Sequence, residues 1–280
     1  MTALYLLIIL ILTAMTCALI GNFLVLRRMA LVGDAMSHSM LPGILIAFFI
    51  AGTLDSPLFF LFAALFAVLM SMMVDFLIDK VGVFQESAIG IIFTFLFSLG
   101  VVMLVQFAGD VHIDTHAVLY GNAEFAAFEK LMVGGQSLGP KALWTMGVMF
   151  VLNLIFVVLY YKEWKVTTFD ESFSRSVGIS PRVMHYLLIG LTSLTVVSAF
   201  EVVGVVLVVA LLVVPGATAH FFAGKLWQMI LWSLVFALMA AVGGYYAAFA
   251  LDLSLSGSVA VVSGVIMGIA SFKHLLLRTR

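Results

Sequence analysis

Asp34 and His38 stand four residues apart in Gly33-Asp-Ala-Met-Ser-His-Ser-Met-Leu-Pro42, inside an otherwise intensely apolar chain. On a helix this spacing puts a carboxylate and an imidazole on one face, one turn apart. Both groups ligate divalent metals, one through a hard oxygen and the other through a borderline nitrogen. Two readings of the pair stay open at this level: a metal-binding pair, or an Asp–His hydrogen bond satisfied within a membrane helix. Ionisable groups inside a membrane segment are costly and mark a pathway or a site.

Other residues have the right types for a supporting role. Glu201 precedes the apolar run Val-Val-Gly-Val-Val, and is either a candidate gate or entrance ligand or a water-exposed edge residue. His112, Asp114 and His116 form His-Ile-Asp-Thr-His in a long loop, again either a candidate metal entrance or solvated loop residues. Asp75 and Asp79 are expected to face water beside Lys80, and His185, His220 and His274 to anchor helix ends at the membrane interface. Cys17 stands alone, which excludes an intramolecular disulfide and a cysteine-based metal cluster.

The elements that position these groups follow from composition. Of 280 residues, 64% are hydrophobic and 10% charged, against about a quarter charged in soluble domains. The chain is therefore read as an all-α polytopic integral membrane protein, residues 1–280 forming one transmembrane domain. A net charge of −1 with no basic run gives no reason to invoke nucleic acid. The first apolar stretch has no Lys or Arg before it and is long enough to span, so it reads as a retained helix rather than a secretory signal.

Apolar runs at 3–26, 31–51, 57–78, 87–107, 142–161, 184–200, 203–222, 226–250 and 257–272 make eight to nine spans. Only Glu201 and Gly204 separate 184–200 from 203–222, so one of that pair is expected to be partial or re-entrant. Eleven of the 13 Lys and Arg fall in one alternating set of loops, with only Lys130 and Lys141 in the other. That bias makes the basic set cytoplasmic, with the N-terminus outside and the C-terminus inside. At about 1.5 Å per residue in a core about 30 Å thick, His38 lies roughly 15 Å from Arg28, near the midplane. Such a pair must face the bundle interior or a water-filled cavity. One chain offers two ligands, and two copies on a two-fold axis would offer four.

Two loops exceed what a turn needs. The outer one, about 108–141, holds the His-Asp-His motif. The inner one, about 168–180, carries helix punctuation: Thr168 or Asp170 as a cap, Glu171 in the first turn, Gly178 as a left-handed stop and Pro181 beyond it. Phe169, Phe173 and Val177 repeat every four residues, an apolar stripe that either lies on the membrane or its own bundle, or fits a groove on a cytoplasmic partner.

The chain resembles the permease subunits of the ABC-3 family of bacterial metal importers. The carriers are Arg27-Arg-Met-Ala-Leu-Val-Gly-Asp-Ala-Met-Ser-His-Ser-Met-Leu-Pro-Gly43, Glu86-Ser-Ala-Ile-Gly-Ile-Ile-Phe93, Val118-Leu-Tyr-Gly121 and Val203-Gly-Val-Val-Leu-Val-Val-Ala-Leu-Leu-Val-Val-Pro215. The resemblance implies a type II-like importer fold in the bacterial plasma (inner) membrane. It also implies pairing with a second permease copy or a paralogue, two cytoplasmic ATPase subunits, and an extracytoplasmic metal-binding protein. By the same resemblance Asp34 and His38 line and close the metal path. Phe169, Asp170, Glu171, Phe173, Val177 and Gly178 then belong to the helix that couples to the ATPase. The chain has no Gly-x-x-x-x-Gly-Lys-[Ser/Thr] motif, so it is read as a transport subunit, not an enzyme. No permanently bound cofactor is expected, only the transported metal. The stretch Val111–Gly121 and the acidic residue before Val202-Val-Gly204 are similar to the manganese and iron branch, with zinc as the alternative. From other classes, a proton-coupled secondary metal transporter could use the same pair as a relay. An intramembrane metalloenzyme would normally need a third protein ligand.

Overall fold

A computed structural model describes residues 2–52, 57–107, 128, 130–133 and 136–278. In hydrocarbon every backbone polar group must be satisfied within its own segment, and long apolar runs answer that demand as helices. Among the described residues eight helical stretches are long and apolar enough to cross a membrane, one of them, Ala30–Ala51, made of two consecutive helices, and Val205–His220 is a shorter ninth apolar helix.

In chain order the elements are α1 (Thr2–Leu26), α2 (Ala30–Ser39), α3 (Leu41–Ala51), α4 (Pro57–Phe76) with a π-helical turn at Leu77–Val81, and α5 (Gln85–Phe107). Two strands follow, β1 (Lys130–Val133) and β2 (Gln136–Pro140), then α6 (Lys141–Leu159), α7 (Tyr161–Phe169) and α8 (Glu171–Ser176). The chain closes with α9 (Pro181–Val203), α10 (Val205–His220), α11 (Leu226–Leu251) and α12 (Leu255–Arg278). The strands pair antiparallel, Lys130 opposite Pro140 and Val133 opposite Gln136, where the sequence suggests only loop.

The chain divides into two compact units. One comprises residues 1–28, 115–181 and 198–280. Within it α1 is the central helix, packed on α6, α10 and α11. Lipid is as apolar as leucine, so such helices are held by close backbone approach and interhelical hydrogen bonds. Gly21 supplies the approach: a β-carbon there would lie 2.7 Å from the carbonyl carbon of Leu212 on α10 and closer still to its oxygen. Asn22, fully buried, donates from Nδ2 to the Ser233 hydroxyl of α11 at 2.7 Å. Gly244 on α11 likewise lies against the backbone of Val259 on α12.

The other unit comprises residues 29–114 and 182–197. Its described helices α2, α3, α4 and α5 pack on one another, with α3 against α4 through Gly43, where a β-carbon would sit 2.5 Å from the Phe62 carbonyl oxygen.

The break expected between Glu201 and Gly204 falls at Gly204, whose φ of +80° and ψ of 166° no helix can hold. Glu201 stays helical in the last turn of α9. The 16 residues of α10 make it the partial member of the pair, since that length reaches only about 24 Å of a core about 30 Å thick.

Candidate metal-binding site and docking helix

Asp34 and His38 owe their placement to two local breaks. Arg28, left-handed at φ +59°, ends α1, so that α2 starts as a new helix at Ala30. Pro42, in the first turn of α3, has no N–H to give the His38 carbonyl, and the helix re-forms at Leu41 after Met40. The Ser37 hydroxyl donates to the Gly33 carbonyl at 3.0 Å, and Ser39 donates to Ala35 in the same way. Both serines turn inward and leave the opposite face free of hydroxyls.

Val32, Gly33, Ala35, Met36, Ser37 and Ser39 are buried, whereas Leu31, Asp34 and His38 form the accessible stripe of α2. His38 Nε2 and Asp34 Oδ1 are 3.7 Å apart, with side chains 29% and 47% exposed. That distance lies beyond a hydrogen bond. Phe97 meets the imidazole edge-on at 5.6 Å between centroids, and Phe93 lies at 6.1 Å, so α5 walls one side of the ring. The result is two metal-ligating groups facing each other on an accessible stripe. Among the described residues no group of three or more His, Cys, Asp or Glu is placed to hold a metal ion.

The other candidates separate from this pair. His112, Asp114 and His116 lie outside the described residues. Glu201 Oε1 is 3.2 Å from Lys141 Nζ, which joins the end of α9 to the start of α6 and occupies the carboxylate. Asp75 and Asp79 meet α9 rather than water alone: His185 Nε2 is 3.4 Å from Asp75 Oδ2, and Arg182 Nη2 is 3.8 Å from Asp79 Oδ2.

The inner loop folds as its punctuation suggests. Asp170 caps α8, its carboxylate accepting the Phe173 N–H at 2.8 Å. Gly178 takes φ +81°, and the Ile179 N–H bonds the Ser174 carbonyl at 3.0 Å. Glu171 and Arg175 pair one turn apart at 2.7 Å. Phe169, Phe173 and Val177 are 63%, 54% and 50% exposed, which leaves an uncovered apolar stripe running from the end of α7 across α8 to its C-cap.

Thr168 does not cap; its hydroxyl accepts from Arg27 Nε at 3.1 Å, while Thr167 accepts from Arg27 Nη2 at 2.8 Å. Burial lowers the Arg27 pKa from its ordinary value, and the nearby Glu171 charge works against that shift. Trp164, fully buried, stacks obliquely on Phe23 at 5.0 Å. These contacts fix α7, and with it the root of α8, to the end of α1. In sequence Arg27 reads as a topology charge and as the first residue of the stretch that carries the resemblance; its place directly after the α1 span was the available signal. Arg27→Ala is expected to speed amide hydrogen exchange across 164–177 about tenfold, equivalent to ~1.4 kcal/mol, while exchange in the rest of α1 stays unchanged.

The comparisons with known proteins agree with this architecture. The chain is 40% identical over 255 residues to the manganese transport system membrane protein MntD of Bacillus subtilis (strain 168), covering 91% of this chain and 86% of that protein. It is 36% identical over 275 residues to the zinc transport system membrane protein TroD of Treponema pallidum (strain Nichols), covering 97% of this chain and 74% of that protein. Among solved structures, PsaBC from Streptococcus pneumoniae in complex with Fab superposes with a TM-score of 0.77 at 27% identity, over 95% of this chain and 89% of that one. The profile of the ABC 3 transport family matches residues 3–274, nearly the full length, and this multi-pass membrane protein belongs to that family.

Proposed function

We propose that this chain is the membrane-spanning subunit of an ATP-driven importer of divalent transition metal ions, with Mn²⁺ as the first substrate and Fe²⁺ and Zn²⁺ as the alternatives. The observation that carries the reading is the Asp34–His38 pair, two ligand groups 3.7 Å apart and accessible on one face of α2. An oxygen donor beside an imidazole suits a hard or borderline divalent ion better than a thiolate site would. Relatives named for manganese transport support Mn²⁺, while TroD keeps zinc as the competing substrate.

Two copies of the chain, or this chain and a paralogue, together bring two carboxylates and two imidazoles to the ion. An extracytoplasmic binding protein delivers the metal, and cytoplasmic ATPases drive its passage. The Lys and Arg bias supports an outside N-terminus and a cytoplasmic C-terminus, which puts α8 on the ATPase side. There Phe169, Phe173 and Val177 seat in a groove of the ATPase, and Asp170, Glu171 and Gly178 set the ends of the helix that presents them.

The test is metal content by elemental mass spectrometry in cells expressing the chain with its ATPase and binding protein. Manganese is expected to rise above cells lacking the chain. A zinc or iron rise changes the substrate, and no rise in any metal with the complex assembled overturns metal import. Phe173→Asp places a charge on the docking stripe and is expected to reduce co-purification of the ATPase at least tenfold, or ~1.4 kcal/mol. Undiminished co-purification would remove α8 from the interface.

A further inference from the structure

The unit that carries Asp34 and His38 holds a second pair of the same chemistry, contributed by two other helices. Asp75 lies in the last full turn of α4, directly before the π-helical turn Leu77–Val81, and His185 is the fifth residue of α9. Single π turns are uncommon and gather at functional positions. His185 Nε2 lies 3.4 Å from Asp75 Oδ2, with side chains 21% and 30% exposed. The nitrogen itself is buried and has no hydrogen-bond partner among the described residues, so the two atoms face each other without the alignment that would join them. A buried polar atom left in this way costs free energy unless something else satisfies it.

A divalent cation has the geometry to do so. Two ligands of one ion with bonds of about 2.1 Å stand about 3.0 Å apart at the octahedral angle and about 3.4 Å apart at the tetrahedral one, so a small adjustment suits either. The Asp34–His38 separation of 3.7 Å is only slightly wider. Tyr186 stands edge-on to the His185 ring at 5.3 Å between centroids.

We infer that Asp75 and His185 form a second divalent-cation site, a weak station through which the transported metal passes. This inference rests on the import reading above. His185 lies about 6 Å along α9 from its first residue and His38 about 12 Å along α2 from its own, which puts the second pair about one turn nearer its helix end. Two protein ligands, with water completing the shell, hold a hard ion loosely. Arg182, 3.8 Å from Asp79 and largely exposed, pairs with that carboxylate. The pairing offsets a negative charge that would otherwise strengthen cation binding beside the site.

The test follows Mn²⁺ binding to the purified full-length permease through loss of the electron paramagnetic resonance signal of the free ion. With Asp34→Ala and His38→Ala combined, one weak site per chain is expected to persist. Adding His185→Ala or Asp75→Asn is expected to weaken it at least tenfold, and adding Arg182→Ala to tighten it severalfold. A merely structural ion pair does not predict the Arg182 effect. Where His185→Ala aggregates, His185→Gln keeps a polar side chain there and is read by the same criterion. No residual site in the Asp34→Ala/His38→Ala protein, or one unchanged by the His185 and Asp75 variants, overturns the inference. Wild-type cells that accumulate no metal would instead remove the import reading and leave the binding result standing.

Discussion

Asp34→Ala is expected to drop manganese accumulation to the level of cells lacking the transporter, at least a hundredfold below wild type, while the protein still inserts and assembles. His38→Ala should do the same. On the proposed function each removes one of the two ligand groups that a chain offers, and if two copies share the site each variant removes half of the coordination shell. Changing even outer-shell partners of a metal typically costs 10–100-fold in affinity, so losing a direct ligand from both copies costs at least that. Insertion should survive because the buried face of α2 stays intact, and His38→Ala loses only the ring contacts with Phe93 and Phe97 of α5. The pair is too far apart for a hydrogen bond, both groups lie on the accessible stripe, and α2 packs through Val32, Ala35 and Met36 instead. Alanine is a better helix former than aspartate, and removing a carboxylate from a membrane segment lowers the insertion cost. Immunoblotting of membranes beside elemental analysis separates the two effects. Wild-type accumulation by both variants would mean that the metal takes another route.

Gly21→Ala is expected to cause the largest structural loss from the smallest change. The added methyl group would run into the backbone of Leu212, with its carbon 2.7 Å from the carbonyl carbon. Backbone cannot rotate aside as a side chain end can, so α1 and α10 must separate. Overpacking of a well-packed core costs about 1–3 kcal/mol and sometimes more. Here separation also disturbs the adjacent Asn22–Ser233 hydrogen bond, because Gly216 of α10 lies against Asn22 itself. With α1 central to its unit, the expected readout is a melting temperature several degrees lower and a much smaller monodisperse fraction in detergent. Gly147→Ala is the control, since among the described residues nothing outside its own helical turn stands within 4 Å of its added β-carbon. That variant should melt at or slightly above wild type, because alanine favours the helix by about 1 kcal/mol. Equal melting of the two variants would show that the α1–α10 contact has slack.

What was legible in the sequence was local or set by the solvent. The spans could be read because a bilayer leaves long apolar runs no structure but the helix. Asp34 and His38 could be placed on one face because the helical period alone decides that, and the capping by Asp170 and the turn at Gly178 depend on neighbours within a few residues. The boundary between α9 and α10 was visible only as a choice, because Glu201 and Gly204 are both plausible interruptions. The glycine prevailed because only it adopts the positive φ required there.

The tertiary structure decided which distant groups meet. Glu201 reads as a free carboxylate until Lys141, 60 residues earlier, is found against it. His185 reads as an interfacial anchor until Asp75 stands 3.4 Å away, and Arg27 reads as a topology marker until it clasps Thr167 and Thr168. Hydropathy and periodicity record how each helix relates to lipid and to its own axis, but not which face of another helix it will meet. That is fixed by the fit of small residues such as Gly21 and Gly43 against particular backbones, a property of two surfaces together that no single segment encodes.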